Sequence, residues 1–233
     1  MESENKTANT YAKGLPERPD HIMRLPVDGR GYPVPYFASY FDGKPDFRVI
    51  DRDKVIATAT GKCCTICGGP LNGEAYFAVG PKALILTCAT DGPSHKDCIE
   101  YAIRTCPFIL NPNARARRSG LPEHPAIREQ AIPERPPIYG VVSVRGDVKI
   151  DNSHITILCS WDQADYRFSK DGKWIEPAEA RPFIETAIGE LQAEIENGPR
   201  PPAIPEEKFE SWKAACKTDI KTRAERLLAQ IGP

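Results

Sequence analysis

No stretch of this chain approaches the roughly 18 apolar residues of a helical membrane span, which excludes that class. The start, MESENKTANTYAKG, has no apolar core of a secretory leader, so a cytoplasmic location is expected. Net charge is also missing: 31 basic residues against 32 acidic ones leave −1, so any grip on nucleic acid must come from a local patch. Histidine is scarce, with four in the chain, and there is no Gly-rich phosphate loop, no nucleophile elbow and no His-Glu-x-x-His pair. These gaps remove the motif-bearing enzyme classes from first consideration.

What the chain has in excess is proline, 23 in 233 residues, and eight cysteines. Proline at this level predicts long ordered loops. In a reducing compartment the cysteines favour thiols and metal thiolates over disulfides. Five of them (63, 64, 67, 88 and 98) fall within residues 63 to 98, the clustering of a metal site.

The organisation reads as α+β in four stretches. Residues 1–60 are broken by Pro16, Pro19, Pro26, Pro33, Pro35 and Pro45, which predicts an irregular arm with short strands such as PDFRVID. Its rings Tyr32, Tyr36, Phe37, Tyr40 and Phe41 read as packing rather than a base-stacking platform, because no basic residue is interleaved between them. Residues 61–106 hold the metal module, and 107–137, with seven prolines, form a linker or surface loop. In 138–233, IYGVVSVRG, SHITILCSW and DYRFS have strand composition, and KDGKW supplies a turn, predicting a small antiparallel sheet. A helix follows with Ile184, Ile188, Leu191 and Ile195 on one face and Pro182 near its first turn. A second places Phe209, Trp212, Cys216, Ile220, Leu227 and Ile231 on one stripe, predicting a C-terminal helical hairpin.

The chemistry sits in GKCCTICGGPL and PSHKDCIEYAIRTCP. Cys64-x2-Cys67 followed by two glycines lets two thiolates converge while the backbone turns behind them. Twenty-seven residues further on, Ser94 reads as a helix N-cap with Asp97 as its capping partner, which puts His95 and Cys98 in the first turn on one side. Residues 71–90 have room for two strands joined near Gly80-Pro81. Knuckle, hairpin and ligand-bearing helix is the order of a treble-clef zinc finger, with Cys64, Cys67, His95 and Cys98 closing a structural zinc site. Cys63 remains an alternative to Cys64. Cys106 lies eight residues past Cys98, about 12 Å along one helix, too far to share the ion.

The segments RLPVDGRGYPVPYF, GKPDFRVID, CTICGGPL, PSHKDCIEYAIRTCPF and DGKWIEPAEARPFIETAIGEL resemble an uncharacterised family of zinc-knuckle proteins from phage, prophage and actinobacterial genomes. The resemblance covers most of the chain and implies the same four ligands and a mobile-element origin. The chain departs from that family after Gly80, where KALILTCAT replaces a more polar stretch. The resemblance implies no activity.

Three functions follow as expectations. The first is a non-enzymatic, zinc-stabilised binding or regulatory protein acting on a protein partner. The second is nucleic-acid binding through Lys62, Lys96, Arg104, Arg115, Arg117 and Arg118. The third is a metal-dependent nuclease of the His-Asn-His class. That class needs an open metal position, whereas His95 is committed to the zinc and His21, His124 and His154 lie in segments with no matching motif.

Overall fold

The computed structural model describes residues 11–114, 135–144, 149–151, 156–158 and 165–232. The chain divides into two compact units, each built from two separate stretches: residues 1–76 with 91–135, and 77–90 with 136–233.

In the first unit a single helical turn, α1 (Asp20–Met23), precedes the hairpin β1 (Ala38–Phe41) and β2 (Lys44–Ile50). Its two-residue loop, Asp42-Gly43, has both residues at positive φ, the Asp-Gly turn whose twist matches paired strands. PDFRVID forms β2 as expected. The arm is more regular than its prolines suggested, since α2 (Arg52–Thr60) follows directly, capped by the Asp51 side chain accepting from the Lys54 N–H at 3.2 Å. Its alanines and threonines give no apolar stripe, which is why periodicity misses it.

The chain then makes the Cys64–Cys67 turn and enters β3 (Ala75–Val79). Here the expected hairpin does not form. Gly80 and Pro81 do not join two paired strands; Pro81 opens a helix, α3 (Pro81–Leu86), at the position where its missing N–H costs nothing. β3 pairs with β5 (Tyr139–Val144), and β4 (Cys88–Ala89) pairs antiparallel with β7 (Thr156–Leu158). Segment 77–90 therefore belongs to the second unit. The chain returns to the first unit for α4 (Lys96–Thr105) and the short α5 (Pro107–Leu110). Most of the proline-rich stretch 107–137 lies outside the described residues.

The second unit has a four-stranded sheet in the order β3-β5-β8-β9, with β8 (Tyr166–Lys170) and β9 (Lys173–Ile175) forming a hairpin. KDGKW makes its turn, with Asp171 and Gly172 at positive φ. A three-stranded sheet runs β4-β7-β6, where β6 is Lys149–Asp151. Two long helices close the unit, α6 (Pro177–Asn197) and α7 (Phe209–Ile231). α6 starts earlier than its apolar repeat implied: Glu176 and Glu179 form a capping box, Pro177 takes the first helical position, and Pro182 sits inside the helix. The two helices are antiparallel. Arg181, near the start of α6, donates to the Leu228 and Gly232 carbonyls at the end of α7, and Glu196 at the end of α6 pairs with Lys213 and Lys217 near the start of α7. Ile184, Leu191, Ile220, Leu227 and Ile231 are buried as their spacing requires. Lys82 of α3 ties to Glu190 and Glu194 of α6. The fold is thus α+β with small antiparallel sheets and a C-terminal helical pair. Among the described residues no helix is long and apolar enough to cross a membrane.

Candidate metal centre

Four side chains from two distant stretches of the first unit meet at one point. Cys64 and Cys67 come from a tight turn in which Cys64 N–H donates to the Gly69 carbonyl and Gly68 N–H donates to the Cys64 carbonyl, both at 2.7 Å. Gly68 has φ +75°, a left-handed conformation, and a Cβ there would stand 3.0 Å from the Tyr36 ring. The turn aims amide hydrogens at sulfur: Cys67 N–H donates to Cys64 Sγ and Gly69 N–H to Cys67 Sγ, each at 3.4 Å.

The second pair arrives through Tyr76 and Ser94, whose backbones exchange two hydrogen bonds of 2.9 Å and close the excursion through residues 77–90. Ser94 is buried and extended, and both its backbone groups are spent on Tyr76. It therefore cannot cap the helix as its sequence position suggested. His95 is the N-cap, and Asp97 accepts from the Cys98 N–H at 3.0 Å instead of completing a capping box. His95 and Cys98 still face the same way, one at the cap and the other in the first turn. Two further contacts lock the pairs together. Thr65 N–H donates to the Pro93 carbonyl at 2.7 Å, and Gly92 lies so close to Thr65 that a Cβ would stand 2.0 Å from its Oγ1.

The four donor atoms, Sγ of Cys64, Cys67 and Cys98 and a ring nitrogen of His95, lie within 4.8 Å of one another. His95 Nδ1 is 3.4 Å from Cys67 Sγ and 3.8 Å from Cys98 Sγ. A tetrahedron with metal–sulfur arms of about 2.3 Å and a metal–nitrogen arm of about 2.0 Å has edges of about 3.5–3.8 Å, so these two distances are close to coordination spacing. His95 Nε2 is 2.9 Å from the Pro70 carbonyl. A carbonyl only accepts, so Nε2 carries the proton and the Nδ1 lone pair faces the sulfurs.

The electrostatics ask for a cation. The Cys98 thiol, together with the N–H groups of Cys67 and His95, stabilises the Cys64 thiolate and lowers its pKa to about 4. Burial pushes Cys67 up to about 11, and the hydrogen bond to Cys64 followed by burial raises Cys98 further. A divalent ion at their centre would favour the thiolate form of all three. The four residues can therefore hold a metal ion.

The remaining cysteines stand apart. Cys63 Sγ turns to the Gly61 carbonyl at 3.4 Å, outside the four-donor cluster. Cys106 caps the far end of α4, with its N–H on the Ala102 carbonyl. Cys88 and Cys216 belong to the second unit, and Cys159 lies outside the described residues.

His21, which no motif connected to the site, is brought onto it. Its ring stacks on His95 with centroids 4.2 Å apart and planes 6° from parallel, and its Nε2 is 3.9 Å from Asp97 Oδ2. Imidazole lone pairs lie in the ring plane, so two stacked parallel rings cannot aim at one ion. His21 therefore covers His95 and stands outside the group of Cys64, Cys67, His95 and Cys98. Its neighbour Ile22 packs in one buried cluster with Cys64, Cys98 and Tyr101. His124 and His154 lie outside the described residues.

Of the basic residues proposed for nucleic acid, Lys62, Lys96 and Arg104 are exposed, and Arg104 Nε donates to the Glu100 carbonyl at 3.3 Å. Arg115, Arg117 and Arg118 lie outside the described residues. The aromatic cluster divides. Tyr32, Phe37 and Phe41 are half-buried, but Tyr36 and Tyr40 are 41% and 48% exposed. Lys54 of α2 stands between them, its Nζ 5.4 Å and 5.5 Å from the two ring centres. A basic residue is interleaved after all, through folding and not through sequence order.

Comparison of the chain with protein-family models, with curated proteins and with solved structures gives no match.

Proposed function

We propose that this chain is a non-enzymatic binding protein whose structural zinc, held by Cys64, Cys67, His95 and Cys98 in a treble-clef-like finger, orients a surface for a protein partner. The observation that carries this reading is the donor set: three sulfurs and one nitrogen within 4.8 Å of one another, with the second ring nitrogen committed to Pro70. Soft thiolates with one imidazole suit zinc. Four protein donors leave no position for substrate or activated water, which supports a scaffold and gives the nuclease alternative nothing to work with. The resemblance to phage and prophage zinc-knuckle proteins leads us to propose an accessory role in a mobile element.

The surface we assign to the partner is the exposed pair Tyr36 and Tyr40 around Lys54, which rests on the knuckle through Gly68. Exposed tyrosines supply rigid contact area at low entropic cost, and they are enriched at protein interfaces. Pull-down with zinc-loaded protein, followed by mass spectrometry, tests it: a captured protein should be lost when Tyr36 and Tyr40 are both replaced by Ala. Undiminished capture by that double variant would remove the surface from the proposal.

One observation favours a second reading, nucleic-acid binding: a lysine between two exposed rings, with Lys62, Lys96 and Arg104 exposed on the same unit. A salt-dependent gel shift on single-stranded DNA or RNA that disappears in Lys54→Ala would support it. No shift at low salt would eliminate it.

A further inference from the structure

The four donors of the metal centre are not equally covered. Cys64 and Cys98 are 0% exposed, whereas Cys67 and His95 are half-buried. A chelating group that draws an ion out of the cluster can start at Cys67 or His95, but it finishes only when the two sealed sulfurs are uncovered. Part of that cover comes from the arm. Ile22 and Leu25 pack in the cluster that holds Cys64 and Cys98, and the His21 ring lies flat on His95.

The segment that carries these three residues is tied at both ends and loose between them. At one end Ala12 N–H donates to the Gly31 carbonyl at 3.0 Å, an approach so close that a Cβ on Gly31 would stand 2.2 Å from the Ala12 nitrogen. At the other, Val34 N–H donates to the Pro26 carbonyl at 2.7 Å, beside the bridge of Val27 with Pro33. Among the described residues, the backbone of 13–25 makes hydrogen bonds only within itself, from the Ile22 and Met23 N–H groups to the Pro19 carbonyl and from Leu25 N–H to Ile22. Its hold on the metal centre is therefore by side chains: the packing of Ile22 and Leu25, the stacked ring, and the 3.9 Å approach of His21 to Asp97. Gly14 offers a hinge, at φ +84° with nothing within 4 Å of where a Cβ would stand. Such a segment opens without breaking backbone bonds to the rest of its unit, and its two tethers return it to the same place.

We propose that residues 13–25 form a hinged strap that gates the metal centre. Passage of the ion in or out requires the strap to lift Ile22, Leu25 and His21 away, so the exchange rate follows strap opening. The inference rests on the zinc reading of Cys64, Cys67, His95 and Cys98, and adds control over how fast the ion is exchanged. The strap supplies none of those four donors, so entry and exit change by the same factor and affinity is kept.

The test uses the purified full chain, with its metal content measured first. Zinc release is followed in excess EDTA, affinity by equilibrium competition with the same chelator, and strap opening by trypsin cleavage at Arg24. His21→Ala should release zinc about two- to ten-fold faster with Kd within two-fold of the parent, because it loses one ring stack and no donor. His21→Phe, which restores a ring without a nitrogen, should return release to the parent rate. Ile22→Ala should speed release by about sixty-fold, in step with cleavage at Arg24. The proposal is overturned if Ile22→Ala frees Arg24 yet releases zinc at the parent rate, which would put the exit on the Cys67 side. It is also overturned if His21→Ala weakens affinity by as much as it speeds release. A purified chain holding no zinc removes the zinc reading and the strap with it, whereas bound zinc that leaves at an unaltered rate in every variant removes the strap alone.

Discussion

Replacing Ile22 by Ala should release the N-terminal arm from the metal centre without unfolding the protein. Ile22 is 1% exposed and packs with Cys64, Cys98 and Tyr101, with Leu25, Ile66, Cys67 and Leu71 around them. The change removes three carbons, about 2.4 kcal/mol at about 0.8 kcal/mol per buried methylene, and the cavity it leaves can take the total to about 2–5 kcal/mol. Beyond this packing the turn is held by the exposed-side stack of His21 on His95 and its approach to Asp97. α1 is four residues long, has no side-chain cap, and is closed by two N–H groups on the Pro19 carbonyl, so it has no stability of its own. The cost should therefore appear as local opening, raising the open population by about sixty-fold for 2.4 kcal/mol. Limited trypsin digestion reads this directly at Arg24, the residue that ends the turn. In the regime where opening is fast, the cleavage rate follows the open population. Cleavage at Arg24 within two-fold of the parent rate would refute the packing argument. So would a large fall in global stability with Arg24 still protected.

Other outcomes follow from the same geometry. Cys67→Ser should lose the metal and destabilise the first unit, because binding free energy in such a site is folding free energy, whereas Cys106→Ser should keep it; metal content by mass spectrometry separates the two. Gly68→Ala should cost about 1–2 kcal/mol, since the residue sits at φ +75° and its new Cβ meets the Tyr36 ring, and a denaturant melt unchanged from the parent would contradict this. Asp46 is held below its ordinary pKa by the side-chain hydrogen bond from Arg48, against opposing burial. A depressed carboxylate contributes stability above its unfolded pKa of 3.8 and loses it as pH falls through the folded value. Asp46→Asn should therefore destabilise by about 1 kcal/mol at pH 7 and have no effect near pH 2, measured by chemical denaturation at both.

The convergence of Cys64, Cys67, His95 and Cys98 was legible because the information that places them is local. Cys-x2-Cys with two glycines dictates a turn, and the i, i+3 spacing of His95 and Cys98 dictates a common side. What links the two pairs was not legible. β3 and β4 find their partners in β5 and β7, more than 60 residues away, and the two-strand reading of 71–90 had no means of seeing those strands compete for the pairing. The same holds for His21, whose stack on His95 spans 74 residues, and for Lys54, which α2 inserts between Tyr36 and Tyr40. Ser94 shows a smaller version of this limit. Its composition is that of an N-cap, but its backbone was already engaged by Tyr76, so the helix begins one residue later. In the C-terminal pair the apolar spacing found the buried Ile184, Leu191, Ile220, Leu227 and Ile231, while Ile188, Ile195, Phe209, Trp212 and Cys216 on the same stripes are half-buried. The start of α6 was set by a glutamate capping box upstream of the apolar repeat.

X-ray absorption at the zinc edge on purified protein, with metal content from the same sample, tests the central claim most directly. The account predicts one zinc per chain with three sulfurs at about 2.3 Å and one nitrogen at about 2.0 Å, and no oxygen ligand. A protein that folds without metal, a shell containing oxygen, or four sulfurs with no nitrogen would contradict it.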